Sequence, residues 1–212
     1  MGALAGRRSL LQVVAACSVL APSLALAQGQ DAVAAPIRQL YNALLTVMKE
    51  GRGTPFMQRS DVVGPAVDRA FDLPYILQTA VGFAWASISP QQQAKLQVAF
   101  RNYTLATYVS EFDSYSGQRF QIFPGTRAVG NGGQVMHTEI VPASGDPRVI
   151  DYVMRASGGG WKAVDVLLDG SISRVAVLRS DFRGLLSSGG PSSLMSNLQR
   201  KATDLSAGSM PT

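Results

Sequence analysis

The sequence predicts an α+β domain in which a curved antiparallel β-sheet is packed on one face by helices. Three observations predict it. Apolar residues recur at helical spacing up to about Ser114, shift to alternating or near-continuous runs between Arg119 and Leu168, and return to helical spacing from Val175 onward. Only short clusters of turn residues separate the candidate strands, a length that suits an antiparallel meander and is too short for parallel crossovers. Neither a repeat nor a linker divides the chain, so one domain over residues 36–205 is expected.

The chain opens on Arg7-Arg8 followed by an apolar run from Leu10 to Leu26 that closes in Ala25-Leu26-Ala27. This is the pattern of an export signal over residues 1–27, cut after Ala27. Gln12 and Pro22 interrupt the run, and its small-residue ending disfavours a membrane anchor. The twin arginines also fit the twin-arginine route. Val14-Ala15-Ala16-Cys17 resembles a lipoprotein box, but that cut would leave the apolar residues from Val19 to Leu26 on the product. Once Cys17 is removed, the 185 residues from Gln28 to Thr212 hold no cysteine. Stability must then come from an ordinary core, without disulfides. Without Arg7 and Arg8 the balance is 17 basic against 14 acidic side chains, a net charge of +3. These charges are dispersed and not interleaved with aromatics, so no nucleic-acid surface is expected.

Residues 28–35 read as a flexible lead. From Pro36, Ile37, Leu40, Tyr41, Leu44, Leu45 and Met48 form one apolar helix face that stops near Gly51 and Gly53. Helices follow from about Thr54 to Ala70 and from Leu73 to Val81, the second with Asp72 as N-cap and Pro74 in its first turn. Ser89-Pro90-Gln91-Gln92 is a capping box with Pro at the first helical position, opening a helix to about Ser114. That helix is apolar on two sides: Leu96, Ala99, Phe100, Tyr103 and Ala106 on one, Val98, Leu105, Tyr108, Val109 and Phe112 on the other. It needs two dry contacts, either a sheet and a helix or a ligand-filled cavity. Strands are predicted at Arg119–Phe123, Thr126–Asn131, Gln134–Val141, Arg148–Ala156 and Trp161–Leu168. A helix bearing Val175, Leu178, Phe182 and Leu185 breaks at Gly189-Gly190 before a last one over Ser192–Thr203, and residues 206–212 read as a flexible tail.

Catalytic signals are sparse. His137 is the single histidine and alternates with Val135 and Glu139 along a strand, the place of a solvated or locally paired side chain. No His, Cys or carboxylate spacing resembles a metal-ligand set, and no cofactor is expected. Gly130-Asn131-Gly132-Gly133 and Gly158-Gly159-Gly160 lie between strands, without the following helix and Lys of a phosphate loop. Ser171 and Ser173 lack a nucleophile elbow. Asp151 and Asp165 lie in strands that could bring them face to face for acid/base work, although aspartates on a wet sheet face near Arg155 or Lys162 fit better.

Apolar surface is in excess. Candidates to line a cavity are Leu77 and Val81, then Phe100, Tyr103, Tyr108 and Phe112 of the two-sided helix, then Ile122, Met136, Ile140, Ile150, Tyr152, Met154, Val164, Val166 and Leu168 of the strands. A packed core explains such residues equally well. Met and aromatic side chains also suit hydrocarbon chains.

The block Gly159-Gly160-Trp161-Lys162-Ala163-Val164-Asp165-Val166, running on to Asp169-Gly170-Ser171-Ile172-Ser173, resembles the hallmark strand of the toluene-tolerance family of Mla-type periplasmic lipid carriers. The resemblance extends over Phe71-Asp72-Leu73-Pro74, Ser89-Pro90-Gln91-Gln92-Gln93, Tyr115-Ser116-Gly117, His137-Thr138-Glu139-Ile140-Val141 and Arg179-Ser180-Asp181-Phe182, in family order from about Pro36 to about Leu205. Within the family, Tyr103-Thr104-Leu105-Ala106-Thr107-Tyr108, Phe112-Asp113 and Tyr115 to Phe120 look closest to the hopanoid-associated branch, as does Leu168-Asp169-Gly170-Ser171-Ile172-Ser173. The resemblance implies an apolar lipid pocket between sheet and helices, in a monomer working in the periplasm. It implies a phospholipid or hopanoid cargo, and the partners of an ABC-type lipid transport system: an inner-membrane transporter with a ring of mammalian-cell-entry domains and an outer-membrane lipoprotein complex. A non-enzymatic carrier is therefore expected. The alternatives are a small enzyme on a cystatin-like or nuclear-transport-factor-like sheet and a cargo-free adaptor of the transporter.

Overall fold

The computed structural model describes residues 22–210, arranged as five helices and a six-stranded antiparallel sheet. Helix α1 (Pro22–Glu50) buries Ile37, Leu40, Tyr41, Leu44 and Met48, the face its periodicity predicts, and ends at Gly51 with a positive φ of 71°. Its start differs from expectation. Residues 28–35 are helical, not a flexible lead, and Pro36 sits inside the helix with Val33 and Ala34 buried before it. Ala32, Ala34 and Ala35 favour helix, and their propensity continues it through the proline. Most of the expected export signal, residues 1–21, lies outside the described residues. No described helix is long and apolar enough to cross a membrane.

Helix α2 (Phe56–Ala70) buries Val63, Ala66, Val67 and Ala70. Arg59 is buried with it, its Nη1 donating to the Val109 carbonyl at 2.9 Å and its Nε to the Thr54 carbonyl at 3.2 Å, so a cation sits at a helix C-terminus. Phe71 then turns extended and bridges Ala163, and Asp72 N donates to Ala163 O at 3.0 Å. This stitch fastens the junction to the sheet. Helix α3 (Leu73–Val81) starts there, with the Asp72 carboxylate accepting from Tyr75 N at 3.2 Å. A 3₁₀ turn over Gly82–Ser87 leads to α4 (Pro90–Glu111), which opens on the predicted capping box of Ser89 and Gln92 and stops three residues short of the expected end. Arg101 forks onto Asp68 with bonds of 2.8 and 2.7 Å, tying α4 to α2.

The strands are β1 (Arg119–Ile122), β2 (Arg127–Val129), β3 (Gly133–Val141), β4 (Arg148–Ser157), β5 (Gly160–Leu168) and the unpredicted β6 (Ile172–Ser173). Their order is β1-β3-β4-β5-β6, with β2 pairing the start of β3. Pairings of Met136 with Tyr152, Thr138 with Ile150, Tyr152 with Val166 and Ile150 with Leu168 set one face toward the helices. Between Val153 and Met154 the register slips by one against β5, a bulge that sharpens the local twist.

Helix α5 (Arg174–Leu205) is capped by Ser173, whose hydroxyl accepts from Ala176 N at 3.0 Å. The Asp165 carboxylate completes the cap: it accepts from Ser173 Oγ, from Val175 N at 3.0 Å and from Val166 N at 2.8 Å. The predicted break falls at Gly189 and Gly190, and φ of 64° at Gly190 explains why glycine stands there. The tail is ordered further than expected: Ser206 and Met210 are buried, and Met210 N donates to Ser206 Oγ at 3.1 Å.

Candidate functional site

Helix α4 packs on α5 and α2, and the sheet faces it across a cavity of about 220 Å³. Phe100, Tyr103, Thr104, Thr107, Tyr108 and Glu111 of α4 form one wall with Phe112. Ile140, Ile150, Tyr152, Val166 and Leu168 of the sheet form the other. Tyr41 of α1, Phe71 before α3, Leu73 and Ile76 of α3, and Arg174 and Leu178 of α5 close the sides. The two apolar sides of α4 therefore serve neighbouring helices and this hollow.

Six aromatic rings close a circuit at one end. Phe120 stacks on Tyr41 at 4.4 Å, Tyr41 meets Tyr152 edge-on at 6.1 Å, and Tyr152 lies 6.2 Å from Phe71. Phe71 lies 5.6 Å from Tyr108, which stacks on Phe112 at 6.0 Å, and Phe112 returns to Phe120 at 5.8 Å. Tyr108 and Phe112 share the end of α4 and the other four rings come from four further segments, so the circuit locks α1, α4 and the sheet around the hollow. The Tyr41 hydroxyl is 2.6 Å from Thr138 Oγ1, which gives its own proton to the Ile150 carbonyl; Tyr41 is thus the donor. Burial pushes the phenols of Tyr41, Tyr108 and Tyr152 above their ordinary value, and the mutual presence of these hydroxyls adds to it for Tyr152. They stay neutral. Thr104 and Thr107 donate back to the Phe100 and Tyr103 carbonyls, both at 2.9 Å. Burial also raises the Glu111 carboxyl, opposed by the charge of Arg174.

Of the sequence candidates, Phe100, Tyr103, Tyr108, Phe112, Ile140, Ile150, Tyr152, Val166 and Leu168 line this cavity. Leu77, Val81 and Met154 are buried in the core around it. Ile122 and Met136 border a different hollow, beside Phe123, Pro124 and Arg38. Val164 is buried elsewhere, because the bulge between Ala163 and Val166 turns Ala163 inward in its place. Tyr41, Phe71, Leu73, Ile76, Thr104, Thr107, Glu111, Arg174 and Leu178 join the lining without having been singled out. The apolar ones shared the same periodic faces as the candidates; the polar ones carried no signal.

His137 faces away from the cavity, since its neighbours Met136 and Thr138 point inward. Its Nδ1 is 2.7 Å from Asp151, its Nε2 is 3.6 Å from Glu139, and its ring lies 4.7 Å from Phe123. Asp151 and Asp165 do not face each other: Asp151 pairs with Leu167 and Asp165 with Val153. The register makes them diagonal neighbours, and the α5 cap holds the Asp165 carboxylate. No group of metal ligands occurs among the described residues.

Fold and site together define a class: α+β domains that hold an apolar cavity between a helical layer and a curved antiparallel sheet. Within that class the chain belongs to the MlaC protein family, whose model matches residues 38–200. Its fold is similar to that of the phospholipid-binding protein from Ralstonia solanacearum, solved in complex with a phospholipid. That likeness has a TM-score of 0.70 at 22% identity and covers 82% of this chain and 98% of that one. No curated protein matches the chain.

Proposed function

We propose that this protein binds a phospholipid by its tails and carries it through the periplasm between the inner and outer membranes. The observation that carries the reading is the apolar cavity between α4 and the sheet, in a chain of the MlaC family. A tail of roughly fifteen methylenes gains about 12 kcal/mol on leaving water. A carrier therefore has to hide the tails, and the headgroup contributes selectivity. Export with loss of residues 1–27 places the chain in the periplasm, where it acts as a monomer, without cofactor or catalysis. Its partners are an inner-membrane transporter carrying a ring of mammalian-cell-entry domains and an outer-membrane lipoprotein complex. A hopanoid is the second reading of the cargo, favoured by the closed aromatic circuit, an apolar surface against which a rigid saturated ring system packs.

Extraction of protein purified from the periplasm into organic solvent, followed by mass spectrometry, tests this. A phospholipid at near-stoichiometric amount is the expected result. A phosphorus-free pentacyclic lipid selects the second reading, and protein free of any lipid overturns both.

A further inference from the structure

We propose that Glu111 and Arg174 read the headgroup of the cargo and select a zwitterionic phosphate-plus-ammonium group, Arg174 holding the phosphate and Glu111 the ammonium. The inference rests on the lipid-carrier reading above and names the chemical class of its ligand. Among the residues that line the cavity, Arg174 is the single full cation and Glu111 the single carboxylate. Every other lining side chain is apolar, aromatic or a hydroxyl, and the two threonine hydroxyls already spend their protons on backbone carbonyls. The pair stands where two helices end: Glu111 is the last residue of α4 and Arg174 the first of α5.

Neither charge is used by the fold. Neither has an ion-pair partner among the described residues, although six other pairs form. The N-terminus of α5 takes its cap from Asp165 and Ser173, and Asp113, two residues beyond Glu111, is bonded to Arg52 at 2.7 Å. The two groups nonetheless feel each other, and both act on the phenol of Tyr108. Glu111 is exposed and Arg174 half-buried, so two opposite charges, outside ion-pair contact with each other, stand at the rim of an apolar hollow where a headgroup can reach both. A phosphate with an ammonium a few atoms away carries the two opposite signs that this rim presents. A headgroup with phosphate alone satisfies Arg174 and leaves Glu111 repelled.

The test presents the purified protein with vesicles of equal parts isotope-labelled phosphatidylethanolamine and phosphatidylglycerol, and counts labelled lipids in the re-isolated protein by mass spectrometry. The expected result is enrichment of the ethanolamine lipid by about fivefold, the upper scale of one exposed ion pair. Glu111→Gln should return the ratio to that of the vesicles by lowering loading of the ethanolamine lipid more than that of the glycerol lipid. Arg174→Gln should lower loading of both lipids, and Arg174→Lys should restore part of it, because a point cation keeps the charge but not the fork. Loading of both lipids in the vesicle ratio by the unaltered protein, or an unchanged preference in Glu111→Gln, overturns the assignment while leaving the carrier intact. Failure to load either lipid overturns the carrier reading and this one together.

Discussion

Single residues here divide into those that hold the fold and those that shape the hollow, and the two respond to different measurements. Asp165 belongs to the first kind, since its carboxylate accepts two backbone N–H bonds and the Ser173 hydroxyl. Asp165→Ala should therefore cost about 1–3 kcal/mol in urea unfolding, from a lost cap and unpaired donors. Asp165→Asn, which keeps one acceptor oxygen, should cost less; equal stability of all three proteins would show that the cap is idle. The buried phenols give a pH signature. Burial raises the folded-state values of Tyr41, Tyr108 and Tyr152, so the unfolded chain releases these protons first. Their contribution is fully present below about pH 10, the ordinary tyrosine value, and is lost as pH rises beyond it. Urea midpoints measured from pH 8 upward should stay level and then fall, with a shallower fall in Tyr152→Phe; an identical slope in that variant would remove Tyr152 from the account. His137, paired with Asp151 on the far face, should be replaceable by Ala without change in lipid content.

Elements meet at the cavity, and there a change of shape separates a container from a solid core. Val166→Trp on β5 projects a large ring into the hollow. It should cut the lipid recovered from the purified protein while leaving the melting of the lipid-free form nearly unchanged. Overpacking a solid interior would instead cost about 1–3 kcal/mol and leave lipid content as it was, and that pair of results would refute the wall assignment. Much of this layering is legible in the sequence. The change of period at Gly117, the capping box at Ser89, the Asp72 cap and the Gly189-Gly190 break are local signals with local causes. So is the two-sided apolar character of α4, which identifies half of the cavity wall. What is not legible has its own physical reasons. A bulge adds one residue without altering composition, so alternation from Val166 places Val164 inward where the chain puts Ala163. Pro36 reads as a helix start because a proline inside a helix is indistinguishable in sequence from one at its first turn. Glu111 and Arg174 carry no signal in the sequence, since nothing local reveals that two helix ends meet at one hollow.

For the whole molecule, an apolar hollow between two layers is a cost borne by the empty form, because its lining loses the contacts a filled core would make. Filling it with hydrocarbon should then act on the entire fold, not on one element: the walls come from α1, α3, α4, α5 and three strands, so cargo joins both layers at once. A ligand that binds only the folded state stabilises it by about 2.7 kcal/mol at a hundred times its dissociation constant. In a domain of this size each kcal/mol moves the melting temperature by about 2–4 °C. Protein purified with its lipid should accordingly melt roughly 5–11 °C above the same protein after lipid removal, and added phospholipid vesicles should restore the difference. Calorimetry on both forms, with mass spectrometry confirming which one holds lipid, measures it directly. Coincident transitions would mean that the lipid sits outside the cavity, since a tail threaded between helices and sheet cannot leave their mutual stability unaltered.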